Sequence, residues 1–272
     1  MIVAAVLAGS VPAIATEPVR QIGIYVQPFY EAARSPGERP RVAVGKQYND
    51  LLSSSRREDI LAARDLIVAK PALVTPMTMM VLAIRLYDVG LRDDAVFWFY
   101  VAKDRYIVLS DVLNVKTPQL AQADDAVRNF ATLAGPVING YAFCDLARQK
   151  AAHAKAVAWV EANPYEVMFR PDVPALPGDR AANARRAIAN AKDRAAKESA
   201  YFDDPKTREE YYATRKKNDA PSIGSLISLR ADTSVTRTGF DEFTWDVEIV
   251  KDKRRGPGWN HSGRSRGVEG LH

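Results

Sequence analysis

The stretch DDAVFWFYVAKDRY, residues 93–106, sets four aromatic residues side by side: Phe97, Trp98, Phe99 and Tyr100. Successive residues of an α-helix turn by about 100°, so these rings point in every direction around one helix. A helix that is apolar all round is buried on several sides. That requirement predicts a body of packed helices with this segment inside it. Asp93 and Asp94 stand at its start, where carboxylates suit the positive end of the helix dipole. Acidic pairs also serve as metal ligands, but at a helix start the dipole reading takes precedence.

Working outward, Thr75 and Pro76 open the preceding helix, Thr as N-cap and Pro at the first helical position. It is expected to run to Val89 and stop at Gly90 as the C′ residue. Earlier still, Ile60, Leu61, Arg64, Ile67 and Val68 follow an i, i+3, i+4, i+7 rhythm that Pro71 closes. Downstream, Thr117-Pro118 starts a helix predicted to end near Ala134, at Gly135-Pro136. A further helix is expected over residues 137–162, with Gly140 as a close-packing position.

Leu82, Ala83 and Leu86, then Gly90, then Ala95, Phe99 and Ala102 resemble one unit of the tetratricopeptide-repeat family, over residues 79–106. Ala62, Leu66 and Ala69 carry the same small–large–small spacing 33 residues earlier, and Ala126, Phe130 and Leu133 echo it 31 residues later. Met79 stands where the family often has Trp, Leu86 replaces the usual Tyr, and no proline closes the unit near Ile107. The resemblance implies a mainly α fold of stacked antiparallel helix pairs, with a concave face that holds a protein or peptide. Tyr and Trp need partners for their O–H and N–H groups, which marks Trp98 and Tyr100 as candidate partner-binding residues. Phe97, Tyr87 and Arg105 join them.

The flanks read differently. Residues 2–15 form an uncharged run ending in Ala13-Ile14-Ala15, the small-x-small pattern of a signal peptidase site, although no Lys or Arg precedes Arg20. The run is too short to span a bilayer, which takes about 20 residues. We therefore expect a signal peptide over 1–15, export to the periplasm of a bacterium, and Thr16 as mature N-terminus. Residues 16–50 read as extended, with strand-like alternation in IGIYVQPFY (22–30) and RVAVG (41–45) around a proline-containing turn. The helical body is expected over 51–163, a proline-rich linker or wrapping loop over 164–178, and charged basic helices over 179–218, broken near FDDPK (202–206). The first basic helix has a thin apolar stripe through Ala184, Ile188, Ala191 and Ala195. Phe243, Trp245, Val247 and Ile249 alternate along a possible hairpin in 219–250, and 251–272 composes a polar, cationic, disordered tail.

Charge and motif content narrow the function. Residues 1–179 carry 19 basic and 19 acidic side chains, while 180–272 carry 19 and 14, so the net +5 lies in the last third. That excess gives a weak anionic-surface contact through 180–266 as an alternative mode, and interleaved acids dilute any nucleic-acid patch. Cys144 is the single cysteine, among apolar neighbours, which excludes an intramolecular disulfide and a multi-cysteine zinc site. His153 stands nine residues on but off its face, so a buried, inert thiol is expected. Gly-x-Ser-x-Gly, phosphate-loop and His-Glu-x-x-His patterns are all missing from the sequence. No cofactor, metal or catalytic residue is assigned. An exported, non-catalytic protein-binding module is expected, as an envelope-complex scaffold or an inhibitor or immunity-type protein. A carboxylate-dependent envelope hydrolase, whose acids need no fixed spacing, is the enzymatic alternative.

Overall fold

In the computed structural model, which describes residues 22–218, one hydrophobic core runs from Ile24 to Phe202. The chain starts with strands β1 (Tyr30–Glu31) and β2 (Arg41–Val42), paired antiparallel with Tyr30 opposite Val42. Only the last residue of the 22–30 stretch is strand, so the expected extended segment shortens to a two-residue ladder. Helices α1 (Lys46–Ser53), α2 (Arg57–Ala69), α3 (Pro76–Asp88) and α4 (Arg92–Ser110) follow. Then come α5 (Pro118–Ala142), α6 (Leu146–Ala162), α7 (Arg180–Asp203) and α8 (Pro205–Lys217). The fold is mainly α, with helices packed as pairs and a small N-terminal sheet. The segments predicted over 1–15, 219–250 and 251–272 lie outside the described residues.

Turn chemistry makes the α3–α4 pair. The Thr75 side chain accepts a hydrogen bond from the Thr78 amide, and Pro76 occupies the first helical position. At the other end Gly90 has φ of 80°, a conformation that favours glycine. Its amide donates to Tyr87 O, and Leu91 N–H donates to Leu86 O at 2.9 Å. Those two bonds form a Schellman closure, and the chain reverses into α4 within three residues. Helix α4 then packs against α3, α5, α6 and α7. Val96, Trp98, Phe99, Tyr100 and Val101 are all buried, as a helix with four neighbours requires.

The spacing that resembles a tetratricopeptide repeat has unequal fates. Ala95, Phe99 and Ala102 are fully buried. Ala126 and Phe130 are buried, but Leu133 is half exposed. On α2 the buried set is Ile60, Ala63 and Ile67, so Ala62, Leu66 and Ala69 face outward, with Leu66 44% exposed.

Two expectations are corrected. Helix α5 does not stop at Gly135-Pro136 but continues to Ala142. Pro136 removes one ladder bond, at a typical cost of about 3 kcal/mol. The buried face through Ala131, Ala134, Ile138 and Ala142 continues across the interruption, and its packing outweighs that loss. The break falls instead at Phe143–Asp145, where the Asp145 carboxylate caps α6 by accepting from Arg148 N–H. Gly140 is not a close-packing site, because a Cβ there would meet nothing within 4 Å. Its carbonyl instead accepts from Arg215 Nη2 at 3.0 Å, which holds α8 against α5.

The proline-rich segment wraps the body. It forms a 3-10 turn at Glu166–Phe169 and bonds to the end of α4 through Asn114 N–H to Pro174 O and Leu176 N–H to Val112 O. Helix α7 then starts from an Asp179 cap and returns along α6, with Asn183, Ala187, Ala191 and Phe202 buried.

Candidate functional site

The interface of α7 with α6 and α4 is built from small residues. Ala184, Ala187, Ile188, Ala191 and Ala195 face the body, and alanine leaves volume unfilled between helix axes. Two hollows result. The first, of about 490 Å³, is lined mainly by Val108 of α4, Val160 of α6, Met168 and Phe169 of the 3-10 turn, and Ala184 and Ile188 of α7. Phe169 is 42% exposed at its edge. Arg185, Glu161 and Lys192 supply charge, the latter two paired at 2.7 Å. Arg105 lies at its deep side, 1% exposed.

The second hollow, of about 310 Å³, lies further along the same two helices, between Gln149, His153 and Val157 on one side and Ala195, Glu198 and Ser199 on the other. Its polar groups form a chain across three helices. His153 Nε2 stands 3.3 Å from Asp104 Oδ2 of α4, and His153 Nδ1 stands 3.5 Å from Glu198 Oε2 of α7. Gln149 Nε2 donates to Glu198 Oε1 at 2.5 Å and to the Tyr100 hydroxyl at 3.3 Å. The Asp104 approach is an ion pair rather than a well-directed hydrogen bond, and Asp104 Oδ2 has no other partner.

Burial alone would lower the affinity of His153 for its proton; the two carboxylates override it and raise the pKa to about 9. Burial opposes ionisation of Glu198 too, yet the contacts of His153 and Gln149 hold its pKa below the ordinary range. The Tyr100 hydroxyl is pushed far up by burial. A histidine held protonated between two acids is a poor general base at neutral pH. Its charge instead ties α4, α6 and α7 together.

The five residues marked from sequence do not gather into an open face. Trp98 is 2% exposed and packs edge-on against Trp159 at 5.3 Å between ring centroids. Tyr100 is 4% exposed, with its ring 5.1 Å from His153. Phe97 is half-buried under Lys155 Nζ at 4.9 Å, and Tyr87 is half-buried against Tyr141 and Arg92. Trp98 and Tyr100 therefore act from inside as packing and hydrogen-bonding supports, because α4 has a neighbour on each side. Arg105 alone borders a hollow, from beneath.

The stripe Ala184, Ile188, Ala191 and Ala195 foretells the α7 side of the seam, whereas no spacing in the sequence marks the His153 chain. The available signal was Gln149 and His153 on the buried stripe of α6 that continues through Ala156, Val157 and Val160, where polar groups must find partners. Cys144 is buried, and burial raises its thiol pKa against the opposing charge of Arg215, which donates to its sulfur at 3.2 Å. Among the described residues no group of His, Cys, Asp and Glu has the arrangement of a metal site, and no helix is long and apolar enough to cross a membrane.

An uncharacterized protein of Haemophilus influenzae (strain ATCC 51907 / DSM 11121 / KW20 / Rd) is 35% identical over 205 residues, which covers 75% of this chain and 79% of that protein. The chain belongs to that protein's family. No family model matches the sequence, and no solved structure matches it.

Proposed function

We propose that this protein is an exported, non-catalytic binding module that holds a partner protein along the α6–α7 seam, as an envelope-complex scaffold or an inhibitor of immunity type. The observation that carries the reading is the larger hollow, apolar through Val160, Met168, Phe169 and Ile188 and open enough to leave Phe169 42% exposed. Apolar concavities with few polar groups are the usual seats of recognition. Arg185 at its edge has no carboxylate partner among the described residues, so an acidic residue on the partner would find a charge there. Stacked helix pairs present rigid surfaces that serve binding in many folds, an argument by analogy of architecture. The protonated state of His153 favours binding over turnover.

The test is affinity capture with the full chain from its source organism. A single dominant protein should be recovered by the wild type and by Leu133→Asp, which alters an exposed residue on α5. It should be lost with the double variant Phe169→Asp, Arg185→Glu. Equal recovery by the double variant would refute the seam as the binding face. Fractionation with N-terminal sequencing tests export, with Thr16 as the expected first residue.

A further inference from the structure

Arg105 is a guanidinium placed almost out of reach of water, and no carboxylate among the described residues pairs with it. Its Nη1 donates to Pro71 O and Val74 O at 2.8 Å each, and its Nη2 donates to Asn163 O at 2.6 Å. The rings of Trp159 and Tyr165 lie 5.1 and 5.4 Å from its central carbon. Asn163 caps the C-terminus of α6, so the negative end of that helix offsets part of the charge. The Nε–H remains buried with no acceptor. Burial pulls the pKa of Arg105 down to about 10, with Tyr165 opposing it. A sealed cation without a counter-anion is costly, and a fold that keeps one beside a hollow has left a place for an anion.

The rest of the hollow decides what carries that anion. Val108, Val160, Met168, Ala184 and Ile188 supply an apolar wall, and about 490 Å³ lies within the range of small-molecule sites. Glu161 at the mouth is neutralised by Lys192, and Arg185 adds a second cation there. We propose that the hollow under α7 is a binding site for an amphipathic monocarboxylate, an apolar chain or ring system ending in one carboxylate. The carboxylate faces Arg105 at the deep end, where the buried Nε–H has no acceptor of its own, and the apolar body lies between Ile188, Met168 and Val160. This goes beyond the protein-binding reading, since it assigns the same seam a free small molecule.

The probe is decanoate, titrated into the full chain by calorimetry below its micellar concentration, with decanol and decyltrimethylammonium as neutral and cationic controls. Decanoate should bind one to one. Hydrogen bonds to charged groups contribute about 1.5–3 kcal/mol, so decanol should bind at least about tenfold more weakly and the cation not measurably. Arg105→Met should weaken decanoate by a similar factor. Because Arg105 also holds three carbonyls in place, Ile188→Trp provides the variant that keeps the fold: it fills the hollow from half-buried α7 and should abolish binding with an unchanged circular-dichroism spectrum. No saturable decanoate binding, equal binding of decanol, or full binding by Ile188→Trp would each overturn the site. None of these outcomes bears on whether Phe169→Asp, Arg185→Glu loses a protein partner, so the two readings fail separately.

Discussion

Helix α4 meets α3 on one side and the α6–α7 layer on the other, and the two interfaces are made of different material. Against α3 it presents Ala95, Phe99 and Ala102 to a helix whose Met79, Met80, Leu82, Ala83 and Leu86 are all fully buried. That interface is apolar and closed by a Schellman turn. Towards the α6–α7 layer it offers Arg105 and Asp104, and the α7 side answers mainly with alanines, joined by Ile188 and the polar Arg185, Lys192, Glu198 and Ser199. Close-packed apolar contact fixes one geometry and leaves no room. Alanine spacing with ionic ties leaves hollows, and hollows are where a ligand gains contact area. One flank of α4 is closely packed and the other is hollowed.

That contrast fails if the α3–α4 flank tolerates truncation. Phe99→Ala removes a ring with no exposure and should cost about 3–5 kcal/mol, read from denaturant midpoints. A loss of only about 1 kcal/mol would place the structural core elsewhere. On the opposite flank the His153 tie should make stability depend on pH. Its pKa is raised to about 9 in the folded chain from an ordinary 6.5, so its contribution is complete below about pH 6.5 and is lost as pH rises through 9. The shift corresponds to at most about 3 kcal/mol. The difference in stability between wild type and His153→Gln should shrink across that interval, and a difference constant with pH would break the ionic description. Glu198 closes the window from below: with its pKa depressed, its share is present above its ordinary value and lost as pH falls through the folded one. Smaller effects sharpen the comparison. Thr75→Ala deletes the cap that starts α3 and should cost about 1 kcal/mol. Lys192→Ala breaks an exposed pair with Glu161 and should change stability by less than about 0.5 kcal/mol.

What was legible in the sequence follows the same division. Local chemistry fixed the α3–α4 turn, because Thr75, Pro76 and Gly90 each act within a few residues. The aromatic run announced a helix with neighbours all round, and α4 is that helix. Phase was less readable. On α2 two stripes competed: Ile60 and Ile67 of the i, i+3, i+4, i+7 rhythm are buried together with Ala63, while Ala62, Leu66 and Ala69 of the repeat-like spacing face outward, since only tertiary contact chooses between adjacent stripes. Pro136 misled because one lost bond is weighed against the whole burial of α5. The His153 chain was hidden for a different reason. Asp104, His153 and Glu198 come from three helices far apart in the chain, and no spacing rule joins them. Arg105 was marked as a contact for a partner, but nothing local shows that three carbonyls hold it inside.

Helix α7 is fastened at its two ends. Arg180 grips the wrapping segment through Met168 O and Val173 O, while Phe202 is wedged against Phe143 and Tyr211. Between these anchorages small side chains face α6, and the Lys192–Glu161 pair and the contacts of Glu198 with Gln149 and His153 tie the span along its length. A helix held at both ends and pinned between them cannot swing about a single pivot, so the two hollows, which share Lys192 in their walls, keep a common register.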